Sequence, residues 1–286
     1  MITIGLTTWS EHQSLMPSKK QLTLNDYAQF LPVVEVDSFY YGLRAPTVSA
    51  NWLTQVPASF QFIVKAHQAM TRQEDYADFT STEKELFVRY RQSIEPLIKA
   101  GQLQAVLFQF PPFFQLNQEN SQYLRQIRAW LPDVPIAVEF RHQSWYDDAF
   151  KQQMYAFLKQ LNMTHVITDE AQTPTNSVPF EPVVTNPAFA MLRLHGRNMA
   201  GWQNPGAQWR KQRTLYRYNQ DELQFFADAV RQIKNQAEQV AVIFNNNSGG
   251  DAADNALQLQ QLLGLEFPDL ARKHLNRLIY FNEGLV

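Results

Sequence analysis

The chain has 286 residues, 45% of them apolar and 18% charged, with 10 Gly, 15 Pro and no Cys; a chain of this length buries roughly 75% of its unfolded surface, which excludes disorder and allows one large core or two medium ones. A formal charge of −2, from 25 basic and 27 acidic side chains, provides no overall field to gather a polyanion and argues against general nucleic-acid binding. Without Cys there is no disulfide framework, no thiolate metal site and no Cys nucleophile.

The start, MITIGLTTW, has no basic region ahead of an apolar core, and no apolar run approaches the roughly 18 residues of a membrane span. The expected location is the cytoplasm, with no membrane partner. From this start onward, short runs rich in Val, Ile and Phe recur at 2–8, 33–38, 60–66, 105–110, 136–141, 165–169, 189–195 and 240–245. Helical periodicity fills the gaps at 81–100, 117–131, 147–162, 219–236 and 252–263. Ser81 ahead of Glu83 and Glu85, and Asn219 ahead of Asp221 and Glu222, place acid at the positive end of two helices. Residues 171–188 carry four prolines and no helical period, so the helix after the sixth strand is expected to be missing or replaced by a loop.

Eight strands alternating with helices predict a parallel sheet and, by count and length, a single TIM-type (β/α)8 barrel domain over 1–286. An open doubly wound sheet is the alternative, but neither G-x-G-x-x-G nor G-x-x-x-x-G-K-[ST] opens any helix, so nucleotide cofactors have no signature.

Side chains alternate across a strand, so the parity opposite the apolar, helix-facing one points to the barrel axis. Val34 and Val36 turn Glu35 and Asp37 inward. Phe62 and Val64 leave Ile63, Lys65 and His67 inside, and Val106, Phe108 and Phe110 leave Leu107 and Gln109. Val138 and Phe140 put Glu139 and Arg141 inward; Leu192 and Leu194 do the same for Arg193, His195 and Arg197. The sixth and eighth strands have ambiguous parity, so Asp169 and Asn245 to Asn247 are assigned only to the upper end. The polar residues gather at the C-terminal strand ends, where barrel enzymes carry their sites. A set of three acids and four cations can instead pair with itself inside the barrel, at several kcal/mol per buried ion.

VEVDSFYY from Val34, WLTQVPASFQFIVK up to Lys65, FQFPPFF from Phe108, VEFRHQSW from Val138, RLHGR from Arg193 and FNNN from Phe244 resemble, in order and over nearly the whole chain, the YecE-like family, known as "domain of unknown function 72". The resemblance implies a TIM-type barrel and supplies no established reaction. The first loop departs from the family's usual G-[TC]-S-G-W, because Gly5 to Trp9 lack the second glycine.

Guanidinium forks bind phosphate or carboxylate through two bonds, so RLHGR reads as an anion clamp. Arg193 is expected to pair inside the barrel and Arg197, nearer the rim, to face a ligand. Glu35, Glu139 and His195 are the candidates for proton transfer. Lys65, Gln109, Arg141, His142, Arg197, Asn245, Asn246 and Asn247 are the candidate substrate contacts. Trp9 and Tyr40 join them, with Phe113, Trp145 and Trp202 as a possible stacking wall or as rim packing. The predicted function is an enzyme using acid/base chemistry on a small phosphate- or carboxylate-bearing molecule, without cofactor. One alternative is a divalent-metal hydrolase or isomerase using the acids with His67 and His195, which the neighbouring cations oppose. The other is a non-catalytic module that binds a metabolite, a protein or RNA. No oligomeric state follows from the sequence.

Overall fold

The computed structural model describes residues 1–174, 177–203 and 209–270. Eight strands, β1 (Ile2–Thr7), β2 (Val33–Val36), β3 (Gln61–Lys65), β4 (Leu103–Gln109), β5 (Ile136–Glu139), β6 (Met163–Asp169), β7 (Phe189–Leu194) and β8 (Gln239–Phe244), form a closed barrel. Every pairing is parallel, and the ring closes from Ile2 against Val240 up to Leu6 against Phe244. Most strands stop a residue or two short of their apolar runs, because the polar residues at their upper ends turn into the loops. At Gly5 a Cβ would lie 2.2 Å from the Val33 carbonyl oxygen, so only glycine lets β1 come this close to β2.

Around the barrel and in its upper loops lie α1 (Leu24–Tyr27), α2 (Pro46–Leu53), α3 (Glu83–Lys99), α4 (Gln118–Trp130), α5 (Lys151–Gln160), α6 (Met199–Gln203), α7 (Trp209–Arg213), α8 (Gln220–Lys234) and α9 (Asp251–Leu263). The cap of α3 is Thr82, one residue after the expected Ser81, and its side chain accepts from the Glu85 amide. Asn219 caps α8 as expected, in a reciprocal capping box with Glu222. Among the described residues of 170–188 there is no helix. Side chains fix that segment instead: Thr185 Oγ1 accepts from the His165 amide at 2.7 Å and donates to the Met163 carbonyl at 2.8 Å. No helix among the described residues is long and apolar enough to cross a membrane.

Two cores sit on either side of the sheet. Val34, Val36, Phe62, Val64, Phe108, Val138, Leu192 and Leu194 pack outward against the helices. Val33, Ile63, Ala105, Leu107, Ala137, Val166, Met191 and Ile243 fill the barrel interior. This settles the two ambiguous strands. With Val166 inward, Thr168 and Glu170 share its parity while Asp169 faces out; with Ile243 inward, Asn245 faces the axis and Asn246 does not. The apolar plug occupies the lower and middle barrel, so its polar residues are lifted to the C-terminal mouth.

Candidate active site

The centre of the mouth is a desolvated ion network. Arg193, 1% exposed, forks onto Glu35, with Nε donating to Oε2 at 2.7 Å and Nη2 to Oε1 at 2.5 Å. Its Nη1 donates to Glu139 Oε2 at 2.7 Å. The other oxygen of Glu139 accepts from Gln109 Nε2 at 2.7 Å and His195 Nε2 at 3.0 Å, with Arg141 Nη1 at 3.5 Å. Asn245 Nδ2 donates to His195 Nδ1 at 2.8 Å, which leaves the His195 proton on Nε2, facing Glu139.

These surroundings separate the acids. Burial alone would raise Glu139, but Arg193, then His195 and Arg141, hold it well below the usual carboxylate range. Burial pushes His195 down to about 4 against the pull of Glu139, with Arg193 and Arg141 lowering it further, so the imidazole is neutral at pH 7. Burial raises Glu35 to about 7, opposed by Arg193 and reinforced by Asp37. With Arg193 forked onto it, Glu35 remains the partner of a permanent cation.

One further acid completes the rim. Glu170, 1% exposed, accepts from the Val178 amide through Oε1 at 2.8 Å and meets Arg141 Nη2 through Oε2 at 2.9 Å. Burial lifts it to about 7, with Arg141 opposing and Glu139 adding to the rise. Arg141 thus bridges an acid held low and an acid held high. Its guanidinium lies 5.0 Å from the ring centre of Trp202, and that of Arg213 lies 4.5 Å from the same ring. A cavity of about 440 Å3 opens beside Glu170, lined also by Ala171, Phe180, Arg197 and Met199. A second cleft, of about 490 Å3, is lined by Arg72 in the loop after β3 and by Glu83 at the start of α3, and by none of the residues above.

The structure therefore brings together Glu35, Glu139, His195, Gln109, Arg141 and Asn245. Lys65 joins them at the rim on the same inward parity, with its Nζ 4.7 Å over the Tyr40 ring. Among the described residues no carboxylate lies within ion-pair distance of Lys65.

Other expected contacts are engaged elsewhere. Arg197 faces out of the barrel, where Asp169 takes its Nε and Nη2 and Glu222 its Nη1 at 3.1 Å; Tyr218 also donates to Asp169 at 2.7 Å. It ties β6 to α8, because the chain leaves strand geometry at Gly196, whose φ is +87°. Asn246, on the outer parity, donates to the Tyr216 carbonyl and to Asn255, and Asn247 donates to Glu11. His142 takes the hydroxyl of Ser144 and caps its own turn. Trp9 packs edge-on against Trp52 in the outer core. Trp145 lies flat on Phe140 with its indole N–H on the Phe114 carbonyl, so it is packing. His67 caps the turn after β3 through Nδ1. Among the described residues no three His, Asp or Glu side chains converge as metal ligands do; the acids meet arginines instead.

The residue that parity reasoning missed is Glu170. The β6 run, with its Thr and His interruptions, offers no apolar parity to assign, and only Val166 inside the barrel reveals that Glu170 follows it inward.

The sequence profile of the family described as "Protein of unknown function DUF72" matches residues 3–277. The UPF0759 protein YunF of Bacillus subtilis (strain 168) is 41% identical over 281 residues, covering 96% of this chain and 99% of that protein. A solved DUF72 family protein from Enterococcus faecalis V583 superposes with a TM-score of 0.91 at 46% identity, covering 93% of this chain and 97% of that one. Another, from Thermotoga maritima MSB8, gives a TM-score of 0.78 at 29% identity, covering 93% and 100%.

Proposed function

The chain belongs to the DUF72 family, and on that premise we propose that it is a cytoplasmic enzyme performing proton-transfer chemistry on a small phosphate- or carboxylate-bearing molecule at the C-terminal mouth of the barrel. The observation that carries this reading is the pair Glu139 and Glu170 on the two sides of Arg141. Acids pushed apart by their surroundings take different protonation states at one pH, which is how acid and base roles are divided. Glu139 is the permanently ionised member, and its three donors with the Arg141 charge beside them leave it no proton to trade. Glu170, with one backbone donor and one guanidinium, is the proton carrier. Glu35 and His195, assigned proton transfer on sequence grounds, become positioning residues: Glu35 orients Arg193, and His195 links Glu139 to Asn245.

Lys65 and Arg141 supply the charge that holds the anion, with Gln109, Tyr40 and Asn245 around them. Lys65 is the cleaner test, because its removal strands no buried acid. Calorimetric titration of inorganic phosphate is expected to show one site on the wild type. Lys65→Gln should weaken it about 10-fold, the loss of one charge-assisted contact, with an unchanged thermal melt. Full-strength binding to Lys65→Gln, or no phosphate response in the wild type, contradicts the reading.

A further inference from the structure

We infer that the cavity beside Glu170 receives an apolar body attached to the anionic group of the ligand, so that the substrate class is an aryl or alkyl phosphate or carboxylate and not a bare polar metabolite; this rests on the function proposed above. The walls show the division. Ala171, Pro179, Phe180 and Met199 give the cavity mostly carbon surface, Gln172 and the paired Asp169 and Arg197 line the rest, and Glu170 borders it with its side chain buried. Phe180 is held in place by Phe225 and Phe226, with ring centres 5.3 and 5.9 Å away, so its wall is preformed. A cavity of about 150 Å3 admits a benzene ring, and about 440 Å3 leaves room for a substituted one.

The polar end adjoins this space through Glu170, since Arg141 and Trp202 do not themselves line it. Arg141 meets Glu170 at 2.9 Å, and its Nε is a buried donor with no acceptor among the described residues. The Nε1 of Trp202 is a second such donor, on a side chain 4% exposed whose ring lies 5.0 Å from the same guanidinium. Buried donors left without acceptors are costly, and the oxygens of a phosphate or carboxylate carried at Arg141 satisfy them. Such a ligand then has its charged end on Arg141, its body between Phe180 and Met199, and the bond between them beside Glu170.

The test compares phenyl phosphate with inorganic phosphate by calorimetry on the full chain. The wild type is expected to bind phenyl phosphate at least 10-fold more tightly. Phe180→Ser should bring the two affinities within about 3-fold, and Met199→Ser, at an exposed position, should shrink the ratio in the same direction. Equal affinity of the wild type for both probes, each weakened alike by Lys65→Gln, overturns the inference and leaves the proposed function standing. No binding of either probe overturns both.

Discussion

At the scale of single residues, the site is governed by which charges have enough partners. Arg193 sits between two acids and is desolvated along its whole length, so removing it exposes the cost of burying them. Arg193→Ala is expected to lose about 3–5 kcal/mol in urea denaturation, the usual penalty for orphaning a buried ion. Most of that loss belongs to Glu35, because Glu139 keeps Gln109, His195 and Arg141. Adding Glu35→Leu to Arg193→Ala should therefore recover part of the stability, whereas an Arg193→Ala protein as stable as the wild type contradicts this assignment. The role of Arg193 was legible from parity, since it lies two residues below His195 on a face that also carries carboxylates. The role of Arg197 was not. Two residues further on, parity has no meaning after the left-handed turn at Gly196, and the guanidinium swings outward to Asp169 and Glu222.

At the scale of elements, strands with strict alternation could be read to within a residue or two and their inward faces assigned correctly within the strand, but not beyond its end, where Arg197 turns out and His67 caps a turn. β2, β3, β5 and β7 are of this kind. β4 begins at Leu103, earlier than its apolar run, because an irregular register between Phe62 and Ile63 of β3 absorbs the extra residue. Helices with long amphipathic faces were equally plain, while α2 was not: its eight residues bury only Ser49 and Trp52 and no side chain caps its start. The start of α8 matters to the site, because its capping-box acid Glu222 also holds Arg197 and Tyr216. Asn219→Ala should cost about 1 kcal/mol, the typical worth of such a cap, measured as a shift in urea midpoint. Its phosphate affinity should be unchanged, since the mouth network runs through Arg193, Glu139 and Arg141; a loss of affinity as large as that of Lys65→Gln would place Arg197 back in the site.

At the scale of the whole molecule, buried titratable groups set how stability varies with pH. His67, His165 and His195 are each pushed down to about 4 by burial. Between pH 6.5 and 4 the folded chain therefore binds fewer protons at these sites than the unfolded chain, and their contribution is lost as pH falls through that window. Glu35 and Glu170, raised to about 7, act oppositely: their contribution is present at low pH and is lost as pH rises from about 4.5 to 7. Three imidazoles outweigh two carboxyls, so urea stability should fall on acidification from pH 6.5 to 5, and Glu170→Gln, which removes one opposing carboxyl, should make that fall steeper. The central claim is that, of the two carboxyls on Arg141, Glu170 carries a proton near neutral pH while Glu139 never does. Its most direct test is a carbon-13 NMR titration of glutamate side-chain carboxyls in the wild type and Glu170→Gln. The expected result is two resonances titrating near pH 7, those of Glu35 and Glu170, of which only the Glu170 one is missing from the variant, together with a Glu139 resonance that stays ionised down to the acid limit of folding. A Glu170 carboxyl titrating at or below 4.5, or a Glu139 carboxyl titrating near neutrality, contradicts the account.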